Sequence, residues 1–164
     1  MMISPSLSDH SKVWLYYSHR PLNSNDSDYI NSQLSSFCEQ WQAHQQNLKA
    51  TFSILHQRFI VLVVDENPVS ASGCSIDKSV NELKRIGTEL AINFFERSSL
   101  FYLQKNELVE IKFNELPLLL EHQAINDDTV FIDTTIDNLG KLRTEFEKKL
   151  KDIWFYKRIK TIHI

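Results

Sequence analysis

Residues 48–64 read LKATFSILHQRFIVLVV, and this stretch decides the fold. In its first half apolar residues alternate with polar ones, which is the period-two pattern of a strand with one buried face. Its second half, residues 59–64, is a continuous β-branched run typical of a central strand covered on both faces. His56 and Gln57 predict a tight turn between them, although they lack Asn-Gly chemistry. We therefore expect an antiparallel hairpin inside a sheet.

Helical periodicity lies on both sides of this hairpin. Residues 13–17 predict a first strand, and a helix over about residues 27–44 follows it. A second helix, with the strongest helical pattern in the chain, begins near Ile76 and has Gly87 on its apolar face. A glycine there costs about 1 kcal/mol relative to alanine, so we expect another element to approach closely. The apolar positions of the first helix are Ile30, Leu34, Phe37, Cys38 and Trp41, and those of the second are Ile76, Val80, Leu83, Gly87, Leu90, Ala91 and Phe94.

The second half of the chain predicts another hairpin, a short helix, a strand and a final helix. Residues 100–104 and 107–113 flank Lys105 and Asn106, a pair that favours a hairpin turn. A short helix follows to about residue 123, and residues 129–134 predict the last strand. Asp137 can cap a single final helix. Its apolar positions are Leu139, Leu142, Phe146, Leu150 and Ile153 or Trp154.

The predicted order is β-α-β-β-α-β-β-α-β-α. It favours an α+β fold with a mostly antiparallel sheet and helices packed on it. The first six elements match the ferredoxin-like split βαβ order, so we expect a ferredoxin-like first half. We expect residues 1–12 to be disordered or loosely ordered, residues 13–156 to form a single α+β domain, and residues 157–164 to form a basic C-terminal tail.

Composition excludes several classes of protein. The 164 residues are 42% hydrophobic and 24% charged, as in an ordinary globular domain. The longest apolar run, residues 59–64, is far shorter than the about 18 residues of a membrane helix. Residues 1–12 lack the features of a secretory signal, and two cysteines provide neither a disulfide framework nor a zinc-ligand spacing. We therefore expect a cytoplasmic protein without a metal or cofactor.

The candidate site is the junction VSASGCSIDK at residues 69–78, between the most apolar strand and the strongest helix. The first turn of a helix has free amides and a positive dipole end, which can hold an anion and lower the pKa of a thiol. The predicted ligand-binding residues are Ser72, Gly73, Cys74, Ser75, Asp77 and Lys78. Cys74 is the candidate catalytic residue. The structural alternative is that Ser72 or Ser75 caps the helix, Gly73 adopts a positive φ and Cys74 is a small buried residue.

Charge is unevenly distributed along the chain. Residues 1–140 contain 10 Lys and Arg against 18 Asp and Glu, whereas residues 141–164 contain 8 against 3. A basic C-terminal segment can bind nucleic acid, but a final helix with a solvated basic face gives the same pattern. The net charge of -3 disfavours a dedicated nucleic-acid binder.

Three stretches together resemble a known family. They are VWLY at residues 13–16, then Phe37 with Trp41 and His44, and SGCSIDKSV at residues 72–80. The combination resembles a small family of uncharacterised Bacteroidota proteins of about this length, whose members often carry the label "ABC transporter ATPase". The chain contradicts that label, because it has no P-loop and its only glycines are Gly73, Gly87 and Gly140. The resemblance implies a compact cytoplasmic protein with residues 73–78 as its signature, and it supplies no catalytic residue.

We therefore expect a non-enzymatic domain that binds a small anionic ligand or a protein partner at residues 73–78. One alternative is a thiol-dependent enzyme that uses Cys74 as nucleophile with a histidine base, for which His19, His44, His56 and His122 are available. Another is a nucleic-acid accessory domain that uses the basic C-terminal segment. A homodimer formed through an exposed edge strand is also compatible with the sequence, and a membrane partner is not expected.

Overall fold

The computed structural model describes residues 6–162, with the backbone alone described for residues 160–162. Helices and antiparallel sheets confirm the predicted α+β class. Within the described residues, no helix combines the length and the apolar character needed to cross a bilayer. Two compact units divide the chain: unit 1 is Met1–Glu96 with Thr135–Arg143, and unit 2 is Arg97–Thr134 with Thr144–Ile164. The single domain expected for residues 13–156 stays a prediction.

The secondary structure elements alternate along the chain much as the sequence predicts. In chain order they are β1 (Lys12–Tyr17), α1 (Ser24–Gln40), β2 (Gln42–Ala43), β3 (Gln46–Asn47), β4 (Lys49–Leu55), β5 (Phe59–Asp65), α2 (Gly73–Leu90), β6 (Ser99–Gln104), β7 (Glu107–Lys112), α3 (Leu116–Glu121), β8 (Val130–Ile132), α4 (Leu139–Glu145), β9 (Glu147–Lys149) and α5 (Tyr156–Ile162). Short 3-10 turns occupy Phe113–Glu115 and Leu150–Asp152.

β5 is the central strand of unit 1. It pairs antiparallel with β1 on one side and β4 on the other, and all of its residues are buried. This confirms the prediction of a strand covered on both faces. The turn between β4 and β5 has φ of 49° at His56 and 50° at Gln57, and the Arg58 amide donates to the Leu55 carbonyl at 2.9 Å. Two positive φ angles are those of a type I′ turn, which ordinary residues adopt at some cost in strain.

The strand order β1-β5-β4 is the one expected at the start of a ferredoxin-like arrangement. That arrangement also needs a fourth strand beside β1, contributed by the segment after α2. β6, which follows α2, instead belongs to the four-stranded sheet of unit 2. Beside β1 the segment after α2 contributes one isolated parallel bridge, between Tyr17 and Phe95. The ferredoxin-like description stays a prediction.

One apolar cluster holds α1 and α2 against this sheet. Each aliphatic side chain buried there contributes about 1.5–3 kcal/mol through removal of apolar surface from water. The two helices run antiparallel to each other, because Tyr29 near the start of α1 donates a hydrogen bond to Glu89 near the end of α2 at 2.5 Å. The cluster includes Ile30, Leu34, Trp41, Ile60, Leu62, Val64, Leu83 and Ile86.

The predicted C-terminal end of α1 was wrong. The helix ends at Gln40 rather than at His44, because Trp41 has an extended backbone with φ -72° and ψ 120°. The next residues form the small β2-β3 hairpin, and its turn places His44 and Gln45 at φ of 51° and 63°. The chain reversal buries the Trp41 ring, which is 1% exposed, so tertiary packing overrides the helical pattern at this point.

Unit 2 is built on a sheet in the order β7-β6-β8-β9. The predicted hairpin is confirmed, since Lys105 and Asn106 form its two-residue turn with φ of 51° and 67°. Three buried aromatic rings lie together in a core whose other buried residues are aliphatic: Phe131 lies 5.5 Å from Tyr102 and 5.8 Å from Phe155 between ring centroids.

The single final helix predicted from Asp137 onward was wrong. α4 ends at Glu145 and the chain then adds β9 to the sheet beside β8. The Asp133 amide donates to the Phe146 carbonyl at 2.8 Å and the Leu150 amide to the Thr129 carbonyl at 2.8 Å. The apolar residues 146 and 150 are buried, as the helical pattern required, but they lie on either side of the strand β9 and not on a helical face.

The two ends of the described chain also make defined contacts. Leu7 and Ser11 are buried, and the Leu139 amide donates to the Ser11 carbonyl at 2.9 Å. At the other end, residues 157–162 belong to α5. The rest of the expected N-terminal and C-terminal segments, residues 1–5 and 163–164, lies outside the described residues.

Candidate functional site

The two serines of the candidate site form the start of α2. Ser72 is the N-cap: its hydroxyl accepts a hydrogen bond from the Ser75 amide at 3.2 Å. In return the Ser75 hydroxyl accepts from the Ser72 amide at 2.8 Å, which completes a capping box. Ser75 is 1% exposed. The capping interpretation is therefore confirmed for both serines, since their hydroxyls form hydrogen bonds within the capping box.

The other four residues of the site face solvent. Gly73, Cys74, Asp77 and Lys78 are all exposed. The alternative of a buried Cys74 is wrong, and so is the positive φ expected at Gly73, because no described glycine has one. A Cβ built at Gly73 meets no atom within 4 Å, so the backbone here is open to solvent.

Two features of this first turn favour an anion. Ser75 and Ile76 have their amides occupied by Ser72, whereas the amides of Gly73 and Cys74 make no hydrogen bond within residues 6–162. The first turn also has no acidic side chain. Free amides at the start of an 18-residue helix carry its positive dipole end toward solvent.

Lys78 lies on the same face of α2 as Cys74, one turn along. It makes no ion pair among the described side chains, whereas its neighbour Glu82 binds Arg85 at 2.6 Å. Lys78 also borders a cavity of about 300 Å³ between α1 and α2, together with Gln33, Ser36, Phe37, Gln40, Trp41 and Glu82.

The buried side chain of Trp41 holds the backbone of the candidate site in place. Its indole Nε1 donates to the Ser75 carbonyl at 2.8 Å, and its ring lies 4.9 Å from that of Phe37 and 6.0 Å from that of Trp14. The helical periodicity places Phe37 and Trp41 on the apolar face of the first helix, and the family resemblance includes both, but neither observation assigns them to the site. Their part in the site depends on α1 and α2 being antiparallel neighbours, and no local sequence signal carries that information.

The histidines proposed as a base are not hydrogen-bonded to Cys74 in the described residues. His44 and His56 occupy turns, and His122 is the C-cap of α3 in unit 2. The Nδ1 atom of His19 accepts a hydrogen bond from the Asn93 amide at 3.0 Å. Among the described residues, no hydrogen bond therefore links Cys74 to a histidine, as a nucleophile and its base would be linked in a thiol enzyme.

A larger cleft, of about 650 Å³, lies at the other end of α2. It is bordered by His19, Lys84 and Phe95, among others, and Lys84 Nζ sits 6.0 Å from the Phe95 ring centroid. The carbonyl end of a helix is its negative pole, so this cleft lacks the positive field of the α2 start. Residues 6–162 contain no group of three or more His, Cys, Asp or Glu side chains arranged to hold a metal ion.

Five of the eight basic residues of the C-terminal segment form ion pairs with acidic residues from earlier in the chain. Lys149 and Lys151 both bind Asp128, at 3.0 Å and 2.9 Å, and Lys151 followed by Lys149 lowers the pKa of that carboxyl below its ordinary value. Lys148 binds Asp133 at 3.1 Å. Two further pairs, Lys141 with Asp137 and Arg143 with Asp9, complete the pattern. The basic residues near the C-terminus and the acidic residues earlier in the chain therefore contact each other as ion pairs.

Comparisons of the chain with protein-family models, with curated proteins and with solved structures find no match.

Proposed function

We propose that the protein is a non-enzymatic binding domain whose site is the exposed start of α2 and whose ligand is a small anion or an anionic group on a larger molecule. The observation that carries this proposal is the combination of free amides at Gly73 and Cys74 with the unpaired Lys78 one turn further along the same face of α2. Amide donors and a cation one turn apart are the elements that recognise phosphate or carboxylate.

Asp77 acts against binding and gives the proposal a second test. Its carboxylate is exposed one turn after Gly73, so it faces the same region of solvent as the free amides. An anion at the helix start is repelled by this carboxylate and attracted by Lys78. Removal of the two side-chain charges should therefore change affinity in opposite directions.

The experiment is a titration with inorganic phosphate at constant ionic strength, followed by ¹H–¹⁵N NMR. We expect the largest shift changes at the amides of Gly73 and Cys74. Lys78→Gln should weaken binding by about twofold to fivefold and Asp77→Asn should strengthen it by a similar factor, as for one exposed charge contact. Lys84→Gln, on the same helix near the larger cleft, is the matched control and should leave affinity unchanged.

Two outcomes contradict the proposal. One is the absence of localised shift changes up to about 50 mM phosphate, a concentration that corresponds to negligible affinity. The other is binding that Lys84→Gln weakens and Lys78→Gln does not, which assigns the anion to the cleft at the far end of α2.

The two alternatives have less support. A thiol enzyme requires a base, and Cys74 has no hydrogen-bonded histidine in the described residues. A nucleic-acid domain requires free cations, and Lys148, Lys149 and Lys151 are engaged with carboxylates.

We further propose a cytoplasmic location and membership of the Bacteroidota family that SGCSIDKSV at residues 72–80 resembles. Cys38 and Cys74 are free thiols, and exposed thiols such as that of Cys74 persist in reducing compartments.

A further inference from the structure

The edges of the two sheets are protected to different degrees. In unit 1, the outer edge of β1 is covered: the Val13 amide donates to the Asp137 carbonyl at 2.9 Å, and isolated bridges join Lys12 to Asn138 and Tyr17 to Phe95. The outer edge of β4 has no such cover. Within the described residues, the backbone of residues 50–54 makes no hydrogen bond outside its pairing with β5.

The edge strands of unit 2 are protected by charge or by length. β7 has Glu107, Glu110 and Lys112 among its six residues, and β9 has three residues, all of them charged. Charged side chains and short length are the usual means by which natural sheets prevent edge-to-edge pairing.

β4 is less protected than these strands. Its register with β5 is continuous over seven residues, without a bulge, and it contains no proline. Its one charged residue, Lys49, is the first residue of the strand and is bound to Asp65 at 3.1 Å, so residues 50–55 carry no charge. A regular strand with six consecutive uncharged residues and with free amides and carbonyls is a template for another extended strand.

The sequence of β4 fits a second copy of itself. We propose that two copies of this chain associate by antiparallel pairing of β4 with β4 around a two-fold axis at Phe52, which joins their sheets into one. In this register Phe52 meets Phe52 of the second copy, Ala50 meets Ile54, and Thr51 meets Ser53. Small opposite large residues on the apolar face and hydroxyl opposite hydroxyl on the other are favourable cross-strand pairs.

The space beside β4 suits this arrangement. A cavity of about 390 Å³ lies along the strand, bordered by Cys38 and Glu39 of α1 and by Ala50 and Phe52 of β4, so apolar side chains of the second copy have room next to the strand. Seven paired residues extend over roughly 24 Å at about 3.4 Å per residue. The surface buried by one strand pair of that length is smaller than the about 1,200 Å² that a stable complex buries. We therefore expect a weak dimer with a dissociation constant of roughly 10–500 μM.

The test is sedimentation equilibrium of the full chain from about 5 μM to about 1 mM, a range that brackets the expected constant. Thr51→Lys with Ser53→Lys places like charges opposite each other twice and should weaken the dimer at least about tenfold. Thr51→Lys with Ser53→Glu places opposite charges there and should restore or tighten it. The control Asn81→Lys with Thr88→Lys adds the same charge at exposed positions of α2 and should have no effect.

A second measurement does not depend on the variants folding. In the wild-type protein, alternate amides of β4 should exchange with deuterium at least about tenfold more slowly at high than at low protein concentration. A chain that stays monomeric to about 1 mM overturns the proposal, as does a dimer that both Thr51/Ser53 variants and the α2 control affect equally. Each outcome is independent of the anion site at α2.

Discussion

The two glycines of α2 lie in opposite surroundings, so alanine should have opposite effects on stability at the two positions. A Cβ built at Gly73 meets nothing within 4 Å, whereas one built at Gly87 lies 2.5 Å from the Ile92 carbonyl oxygen and 3.4 Å from a ring carbon of Phe94. Neither glycine has a positive φ, so the comparison isolates local packing from backbone strain.

The magnitudes follow from these distances. Gly73→Ala reduces the freedom of the unfolded chain without a clash, so we expect a gain of about 0.4–1 kcal/mol. At Gly87 the gain in helix propensity is about 1 kcal/mol. It is outweighed by an overlap with backbone atoms that cannot rotate away, because the Ile92 amide donates to the Gly87 carbonyl at 2.8 Å. Overpacking of this kind costs about 3 kcal/mol, so Gly87→Ala should lower the free energy of unfolding by about 2 kcal/mol.

Urea unfolding followed by tryptophan fluorescence measures both changes. The exposed Trp154 lies in unit 2, so Trp154→Phe serves as the background and the signal then comes from Trp14 and Trp41 of unit 1. A Gly87→Ala protein as stable as the background, or a Gly73→Ala protein destabilised by more than about 0.5 kcal/mol, would refute the reasoning.

Three further predictions concern unit 1. Burial raises the pKa of the Cys38 thiol to about 12, whereas Cys74 is exposed, so one thiol should react rapidly with a disulfide reagent near pH 8, and Cys74→Ser but not Cys38→Ser should remove it. Two equally fast thiols in the folded protein contradict this. The Arg20 guanidinium, with the α1 capping box, lowers the pKa of Asp26. The resulting stability is present above the ordinary carboxyl pKa and lost as pH falls through the lowered value. Asp26→Asn should therefore cost about 1–2 kcal/mol at neutral pH, with the gap closing in acid titrations of unfolding; a gap independent of pH argues against the pair. Trp41→Phe removes the indole hydrogen bond to the Ser75 carbonyl and leaves space where the larger ring is buried, so it should destabilise by about 2 kcal/mol in the same urea assay, and an unchanged midpoint contradicts that expectation.

Local patterns predicted most of the elements, because the physics that forms them is local. The alternation in β4 and the unbroken apolar run of β5 reflect burial on one face and on two. The turn at Lys105 and Asn106 follows from its two-residue spacing alone. Ser72 and Ser75 were identifiable as a cap because a capping box needs only residues three positions apart.

The errors arose where distant contacts decide between two structures with the same burial pattern. Phe146 and Leu150 are four residues apart, which suits a helical face, and both are buried. The chain between them nevertheless pairs with β8, since the Phe146 carbonyl has a partner in the Asp133 amide. Trp41 likewise lies just after the end of α1, and its indole donates to the Ser75 carbonyl, 34 residues further along the chain. The helical periodicity of the sequence gives no information about either long-range partner, the Asp133 amide or the Ser75 carbonyl.

Strand order within unit 1 shows how one local property has a distant consequence. A strand that is apolar on both faces, such as β5, is typical of the middle of a sheet, and here the hairpin partner β4 pairs with one edge of it and β1 with the other. β1 then gains cover from residues 93–95 and 137–139, whereas β4 ends the sheet. The half-polar composition that suits β4 to an edge includes Thr51 and Ser53, and its one charge is that of Lys49, at the first residue of the strand. A natural edge strand usually resists pairing with another chain through its charged residues. An edge strand with little charge, such as β4, remains unpaired at low protein concentration or pairs with a matching strand. Substitutions at residues 51 and 53 distinguish these two states.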